Sequence, residues 1–360
     1  MPLRPTWVPV LALALAACTT ATRFPDAQPG AGAAAAAPDA AALLRAGDEA
    51  MRSARFDDAA RSYEAAARVA PSDPRPLLGI AKVRFALGEI PAGMEALDRS
   101  IALGETAEAL YLRGRSLGIA RKFERAAPDL ERSLALGGGD GSAWPVLAAV
   151  QVNLGDDVRA RLAYEGAVQA LGEAVAVDRF WTMLLAMPPD PGQPQEALDR
   201  CSRSQAAMFQ GRWPEAAHEQ RNGLRKSPGF TYCIALAGVT AARLGDPASG
   251  ERAIRRAIAD MSDRLAPLRA DAQAWLGALL LEKDGGAKEA TALARASLAV
   301  RGDRAGTLDL LARACTATGD EACAREATER LLRLPGLPEA MRAEASRRLS
   351  AAGPASAAPR

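Results

Sequence analysis

The apolar positions of this 360-residue chain are ordered by a long period. Small residues fall at Ala59, Gly93, Ala126, Ala160, Ala216, Gly250, Ala290 and Ala324, in steps of 34, 33, 34, 56, 34, 40 and 34. A second series, twelve residues upstream of the first, holds Gly47, Ala81, Gly114, Ala148, Ser204, Gly238, Ala278 and Ala312. Small side chains at both places let two helices touch closely, so each period predicts a helix-turn-helix that buries its apolar face only by stacking on neighbours. The turn between the helices needs a residue that accepts positive φ. Gly88, Gly155, Gly211, Gly245, Gly285 and Gly319 stand five residues before the second-helix position, and Ala54 and Arg121 fill the two remaining turns.

These hairpins form two blocks of four, over residues 40–172 and 197–337. The step of 56 between the blocks leaves room for an apolar helix from Glu173 to Met187, carrying Phe180, Trp181, Leu184 and Leu185. The proline-rich run Pro188 to Pro194 cannot continue it, so residues 173–196 read as a helix followed by a bend. About Met261 to Arg269 the second block carries extra residues, and an amphipathic helix over 338–350 caps the exposed end of the stack before a disordered tail at 351–360.

The unit from Ala40 to Asp73 carries Gly47, Phe56, Ala59, Tyr63, Ala66 and Pro71, and with Trp144 in the fourth unit these residues resemble the tetratricopeptide repeat (TPR) consensus. The resemblance runs from about Ala40 to Pro335 and implies an all-α superhelical solenoid of about eight repeats. Departures fall in the fifth and last units, where Gln220 and Thr328 replace a bulky apolar residue and Leu331 a small one. Only Pro71 and Pro228 keep the terminal proline.

The N-terminus has Arg4 and then an apolar stretch from Trp7 to Ala17, too short to span a bilayer and suited to a secretory signal. Its end, Leu15-Ala16-Ala17-Cys18, matches the bacterial lipobox, so residues 1–17 read as a lipoprotein signal peptide and Cys18 as the lipidated residue. Diacylglycerol and an N-acyl chain on Cys18 would be the sole prosthetic groups. Several acyl chains hold a soluble body at a membrane without spanning it. Thr19 follows the cysteine where aspartate, by resemblance to Gram-negative lipoproteins, would favour inner-membrane retention, so the expectation is the periplasmic face of the outer membrane. Residues 18–39, rich in Ala, Pro and Gly, form a flexible tether.

A formal charge of +2, from 45 basic and 43 acidic side chains, provides no global field for nucleic acid. Beyond Cys18, an exported chain should pair its four cysteines, Cys201, Cys233, Cys315 and Cys323, in one of three connectivities. Cys315 and Cys323 share one hairpin, and Cys201 and Cys233 start the first helices of adjacent units, which favours those two pairings.

Catalytic chemistry finds little supply. The single histidine, His218, has no second histidine for a metal site and no nucleophile spacing around it. Phosphate-loop and zinc-protease motifs are missing from the sequence, and Gly137 to Gly141 falls at a repeat junction with no strand before it. Asp57-Asp58 and Asp156-Asp157 begin second helices, where carboxylates suit the helix dipole. No catalytic residue and no metal ligand is therefore expected.

Surface remains as the working part. In TPR folds the first helices line a concave groove, and the corresponding places here hold Lys82, Phe85, Tyr111 and Arg115 in the first block. The second block places Met208, Phe209, Tyr232, Arg243 and Trp275 there. Such a groove suits an extended or helical segment of another protein. The expectation is a non-enzymatic, lipid-anchored scaffold whose partners are envelope proteins, similar in architecture to the TPR lipoproteins of pilus assembly, including type IV pilotins and Tad/Flp lipoproteins. Adaptors of cell-wall hydrolases, or a glycan- or small-molecule-binding periplasmic protein, are the alternatives.

Overall fold

The computed structural model describes residues 38–137, 141–188 and 190–351. The signal stretch, Cys18, the tether, Gly138 to Asp140, Pro189 and the tail from residue 352 lie outside the described residues. Among the described residues there are eighteen α-helices, one short 3-10 turn and no strands.

Sixteen helices form eight hairpins. The first four are α1 (Pro38–Arg52) with α2 (Phe56–Val69), α3 (Pro74–Ala86) with α4 (Ile90–Leu103), α5 (Ala107–Ile119) with α6 (Phe123–Ala135), and α7 (Ala143–Leu154) with α8 (Asp157–Leu171). A single helix, α9 (Glu173–Ala186), follows. The next four hairpins are α10 (Gln195–Phe209) with α11 (Trp213–Lys226), α12 (Thr231–Arg243) with α13 (Pro247–Asp260), α14 (Ala266–Leu281) with α15 (Ala287–Arg301), and α16 (Ala305–Ala317) with α17 (Glu321–Arg333). Helix α18 (Glu339–Ala351) closes the series, and the residues inserted before α14 form the 3-10 turn Asp263–Leu265.

The turn chemistry explains why the helices stop where they do. All six expected turn glycines have φ between +71° and +94°, and Ala54 and Arg121 adopt the same left-handed conformation at +54° and +60°. Five helices, α3, α5, α8, α13 and α17, start on side-chain caps, with Asp73, Thr106, Asp156, Asp246 and Asp320 each accepting from a backbone N–H two or three residues on.

Packing follows the paired small residues. A Cβ added at Gly238 would lie 2.7 Å from the carbonyl oxygen of Gly250, so α12 and α13 meet backbone to backbone. The Tyr63 ring is wedged between α1 and α3, where a Cβ at Gly47 or Gly79 would come within 2.5 Å of it. Its hydroxyl donates to Asp48 Oδ1 at 2.6 Å, and burial together with that carboxylate pushes the phenol far above its ordinary range.

Contacts divide the chain into two compact units, Met1–Leu147 with Gly166–Glu173, and Ala148–Glu165 with Ala174–Arg360. The division therefore runs through the α7–α8 hairpin and not through the proline-rich bend expected from sequence. In the first unit, Leu78, Phe85, Ala96 and Leu97 form one core cluster and Ala59, Tyr63 and Val83 another. In the second, one cluster gathers Leu198, Phe230, Tyr232, Ile254 and Leu276, and the next gathers Leu308, Leu311, Ala327 and Leu331. Ala345 of α18 is wholly buried in that last cluster, and Arg348 reaches Asp309 Oδ1 at 2.6 Å.

Candidate functional site

The nine groove residues differ in exposure. Phe85 is in the interior, its ring filling the space a side chain at Gly93 would take. Arg115 and Tyr232 are likewise buried. This corrects their assignment to a partner-facing groove: their register positions place them where neighbouring helices pack. Lys82 and Tyr111 are half-buried, and the Lys82 ammonium lies 2.6 Å from Glu108.

In the second unit Phe209 serves packing. It meets Phe180 and Tyr164 edge-on at 5.1 and 5.8 Å between centroids, with the Arg161 guanidinium over its face. Met208 accepts a long hydrogen bond from the Gln220 amide, which shows why a polar side chain is tolerated at that apolar register position. Arg243 is exposed and lies over the Trp213 ring. Tyr232 and Trp275 come together, their rings 5.9 Å apart, while Gln205 Nε2 donates to the Tyr232 hydroxyl at 2.9 Å.

Trp275 leads to a polar cluster that the linear pattern did not reveal. Its indole N–H donates to Asp157 Oδ2 at 2.9 Å, joining α14 to the first turn of α8 across 118 positions of sequence. Beside it, Arg301 at the end of α15 grips Asp271 of α14 with both arms of its guanidinium, Nε at 2.8 Å from Oδ1 and Nη2 on Oδ2. The remaining nitrogen, Nη1, donates to the carbonyl of Asn153 at 2.9 Å, and Arg304 Nε donates to the carbonyl of Leu154 at 2.9 Å. The last carbonyls of a helix have no partner within it and form its negative pole. Two arginines, 148 and 150 residues away from the carbonyls they hold, thus cap α7, and the first hairpin of this unit is tied to its last two.

Gly155 makes that approach possible. It has φ +71°, and a Cβ there would collide with Asp271 Oδ1 and lie 3.0 Å from Arg301 Nε. Burial pushes the Asp271 carboxyl up to about 6 against the pull of Arg301, with Asp157 adding to the rise. Desolvation by the neighbouring protein also raises the Asp157 carboxyl, although its side chain is exposed; the Trp275 hydrogen bond opposes the rise. Burial lowers Arg304 from its usual value. A cavity of about 180 Å³ opens at this cluster.

Cys315 and Cys323 form a disulfide with Cα atoms 5.8 Å apart, bridging α16 and α17. Asp320 stands beside them, but the disulfide uses both sulfurs and leaves no thiolates to ligate a metal. Cys201 and Cys233 are brought together in the core but are not bonded to one another; hydrogen bonding to Cys233 and burial raise the Cys201 thiol. The expected second bridge is thus an adjacent pair of thiols. His218 sits on the exposed face of α11, its Nε2 2.9 Å from the Asn222 amide.

Residues 44–108 and 111–175 match the family model of the tetratricopeptide repeat, across the first four hairpins. Residues 44–175 therefore carry TPR repeats. The chain is also similar to solved structures. MamA is 21% identical over 53% of this chain and 92% of its own, with a TM-score of 0.36. YrrB, described as a TPR protein with an unusual peptide-binding site, is 19% identical over 59% of this chain and 98% of its own, with a TM-score of 0.35. A TPR protein from Parabacteroides merdae ATCC 43184 is 12% identical over 77% of this chain and 99% of its own, with a TM-score of 0.37. At these scores the likenesses carry no argument about function. Comparison with curated proteins finds no match. A TPR fold is a scaffold for protein–protein contacts.

Proposed function

We propose that this protein is a lipid-anchored, non-enzymatic TPR scaffold on the periplasmic face of the bacterial outer membrane, holding an envelope protein during assembly of a pilus, a secretion system or another envelope complex. The observation that carries the reading is the lipobox Leu15-Ala16-Ala17-Cys18 ahead of a chain built from stacked TPR hairpins. The Cys315–Cys323 disulfide supports export, since such bonds persist in oxidising compartments. The first-helix side of the first unit is where a partner segment would lie, with Lys82 and Tyr111 the predicted groove residues that keep solvent access there.

Two measurements test this. Labelled palmitate should enter the wild-type protein and not Cys18→Ser, which should leave the membrane fraction; an exported wild-type protein that takes up no label refutes the anchor. Envelope proteins cross-linked to the wild type should be lost from the double variant Lys82→Ala/Tyr111→Ala at unchanged helicity. Truncating interface anchors weakens binding by about 1 to 3 kcal/mol. Retention of every partner by that variant rejects the surface, and the partners' identity separates pilus or secretion components from cell-wall hydrolases.

A further inference from the structure

The cavity at the Asp157–Trp275 cluster is lined by groups of both charges. Helix α16 begins at its wall without a side-chain cap, so the first N–H groups and the positive pole of the helix lie at Gly306 and Thr307. Arg304 lines the cavity too. Its guanidinium bonds to the carbonyls of Leu154 and Asp303, and the carboxylates of Asp156 and Asp271 act on it without a hydrogen bond among the described residues. Ser297 and Thr307, 2% and 7% exposed, also line this wall, and neither hydroxyl has a hydrogen-bond partner among the described residues. Ser297 departs here from its counterparts in earlier repeats: Ser100 and Ser133 each donate to a carbonyl 26 residues before them. Both hydroxyls are thus free to donate to an acceptor in the cavity.

The lining also carries Asp157, whose Oδ2 takes the indole N–H, and the Trp275 ring. Asp271 adds no free charge, because Arg301 holds both of its oxygens. Small residues, Ala274 and Ala278 one turn apart on α14 and Gly155, complete the wall. A cavity of about 180 Å³ has room for roughly six waters at ~30 Å³ apiece, or a ligand of comparable size.

We propose that this cavity binds a small zwitterion of the amino-acid type, its carboxylate on Arg304, the hydroxyls of Ser297 and Thr307 and the start of α16, its ammonium on Asp157 beside Trp275. A simple anion would be repelled by Asp157, and a simple cation would leave Arg304 and the two hydroxyls without a ligand. The zwitterion matches both charges of the lining. This site lies apart from the first-unit surface proposed for the protein partner, so either can fail alone.

Isothermal titration of the full-length protein with glycine, L-alanine and L-serine should give saturable binding. Acetate, ethylammonium, N-acetylalanine and alaninamide each lack one charge and should bind at least about tenfold more weakly, the cost of one charge-assisted hydrogen bond. N-acetylalanine also stands in for a peptide C-terminus and alaninamide for an N-terminus, so equal binding of either assigns the site to a peptide end and overturns the proposal. Thr307→Val keeps the shape of the wall and should weaken L-alanine binding several-fold without moving the unfolding midpoint. Asp157→Asn should erase the preference for L-alanine over N-acetylalanine. Absence of saturable binding by all three amino acids at millimolar concentration, or binding that both variants leave untouched, also overturns it.

Discussion

Gly155→Ala tests whether the clamp at the end of α7 holds the second unit together. Gly211 provides its control: it occupies the same turn position in another hairpin of that unit, has the same φ of +71°, and has nothing within 4 Å of an added Cβ. A left-handed residue with a Cβ costs about 1 to 2 kcal/mol. Stiffening of the unfolded chain returns about 0.4 to 1 kcal/mol. Gly211→Ala should therefore lose on the order of 1 kcal/mol. At Gly155 the same methyl also occupies the place of Asp271 Oδ1 and must push it from Arg301. Breaking a buried ion pair costs about 3 to 5 kcal/mol, and partial relaxation leaves an expected extra loss of about 2 to 4 kcal/mol over the control. Urea unfolding followed by tryptophan fluorescence and by circular dichroism measures both variants. Losses equal within about 0.5 kcal/mol, the usual scatter of independent sites, would show that Asp271 and Arg301 move aside freely and that the clamp contributes little.

Ala54→Gly should stabilise the first hairpin by about 0.5 to 1 kcal/mol, because Ala54 sits at φ +54° where glycine is unstrained; a lower midpoint would contradict that account. Alkylation of denatured, unreduced protein should label Cys201 and Cys233 and spare Cys315 and Cys323. Replacing the latter pair by serine should cost about 2 to 3 kcal/mol, the low end for disulfides because the bridge spans only eight positions. For Asp271, the folded state keeps the proton up to about pH 6 while the unfolded chain releases it near 3.8, so this group's contribution is full below pH 4 and is lost as pH rises through 6. The loss should reach about 3 kcal/mol and vanish in Asp271→Asn; stability of the wild type that does not fall relative to this variant between pH 4 and 7 refutes it. Carboxylates that partners hold low, such as Glu251, Glu289 and Asp303, act oppositely and at more acid pH, which keeps the two effects separable.

The repeat architecture was legible because it is written locally. A left-handed residue at each turn and a small residue on each of two helices are requirements within one 34-residue unit, and the chain meets them eight times, with glycine in six of the turns and Ala54 and Arg121 taking the same conformation in the other two. Which aromatic residues would face a partner was not legible, since one register position can face solvent in one repeat and lie buried in another: Tyr111 keeps access, whereas Tyr232 is enclosed between Gln205 and Trp275. The polar cavity left no trace in the linear pattern. Asp157 reads as an ordinary helix-start acid and Arg301 and Arg304 as solvated charges, until the curl of the second unit returns residues 271–307 to the α7–α8 turn. Helix and turn formation depends on neighbours within a few positions, so sequence alone decides it; the meeting of groups more than a hundred residues apart depends on small rotations accumulated from hairpin to hairpin, and those are set only when every interface is packed.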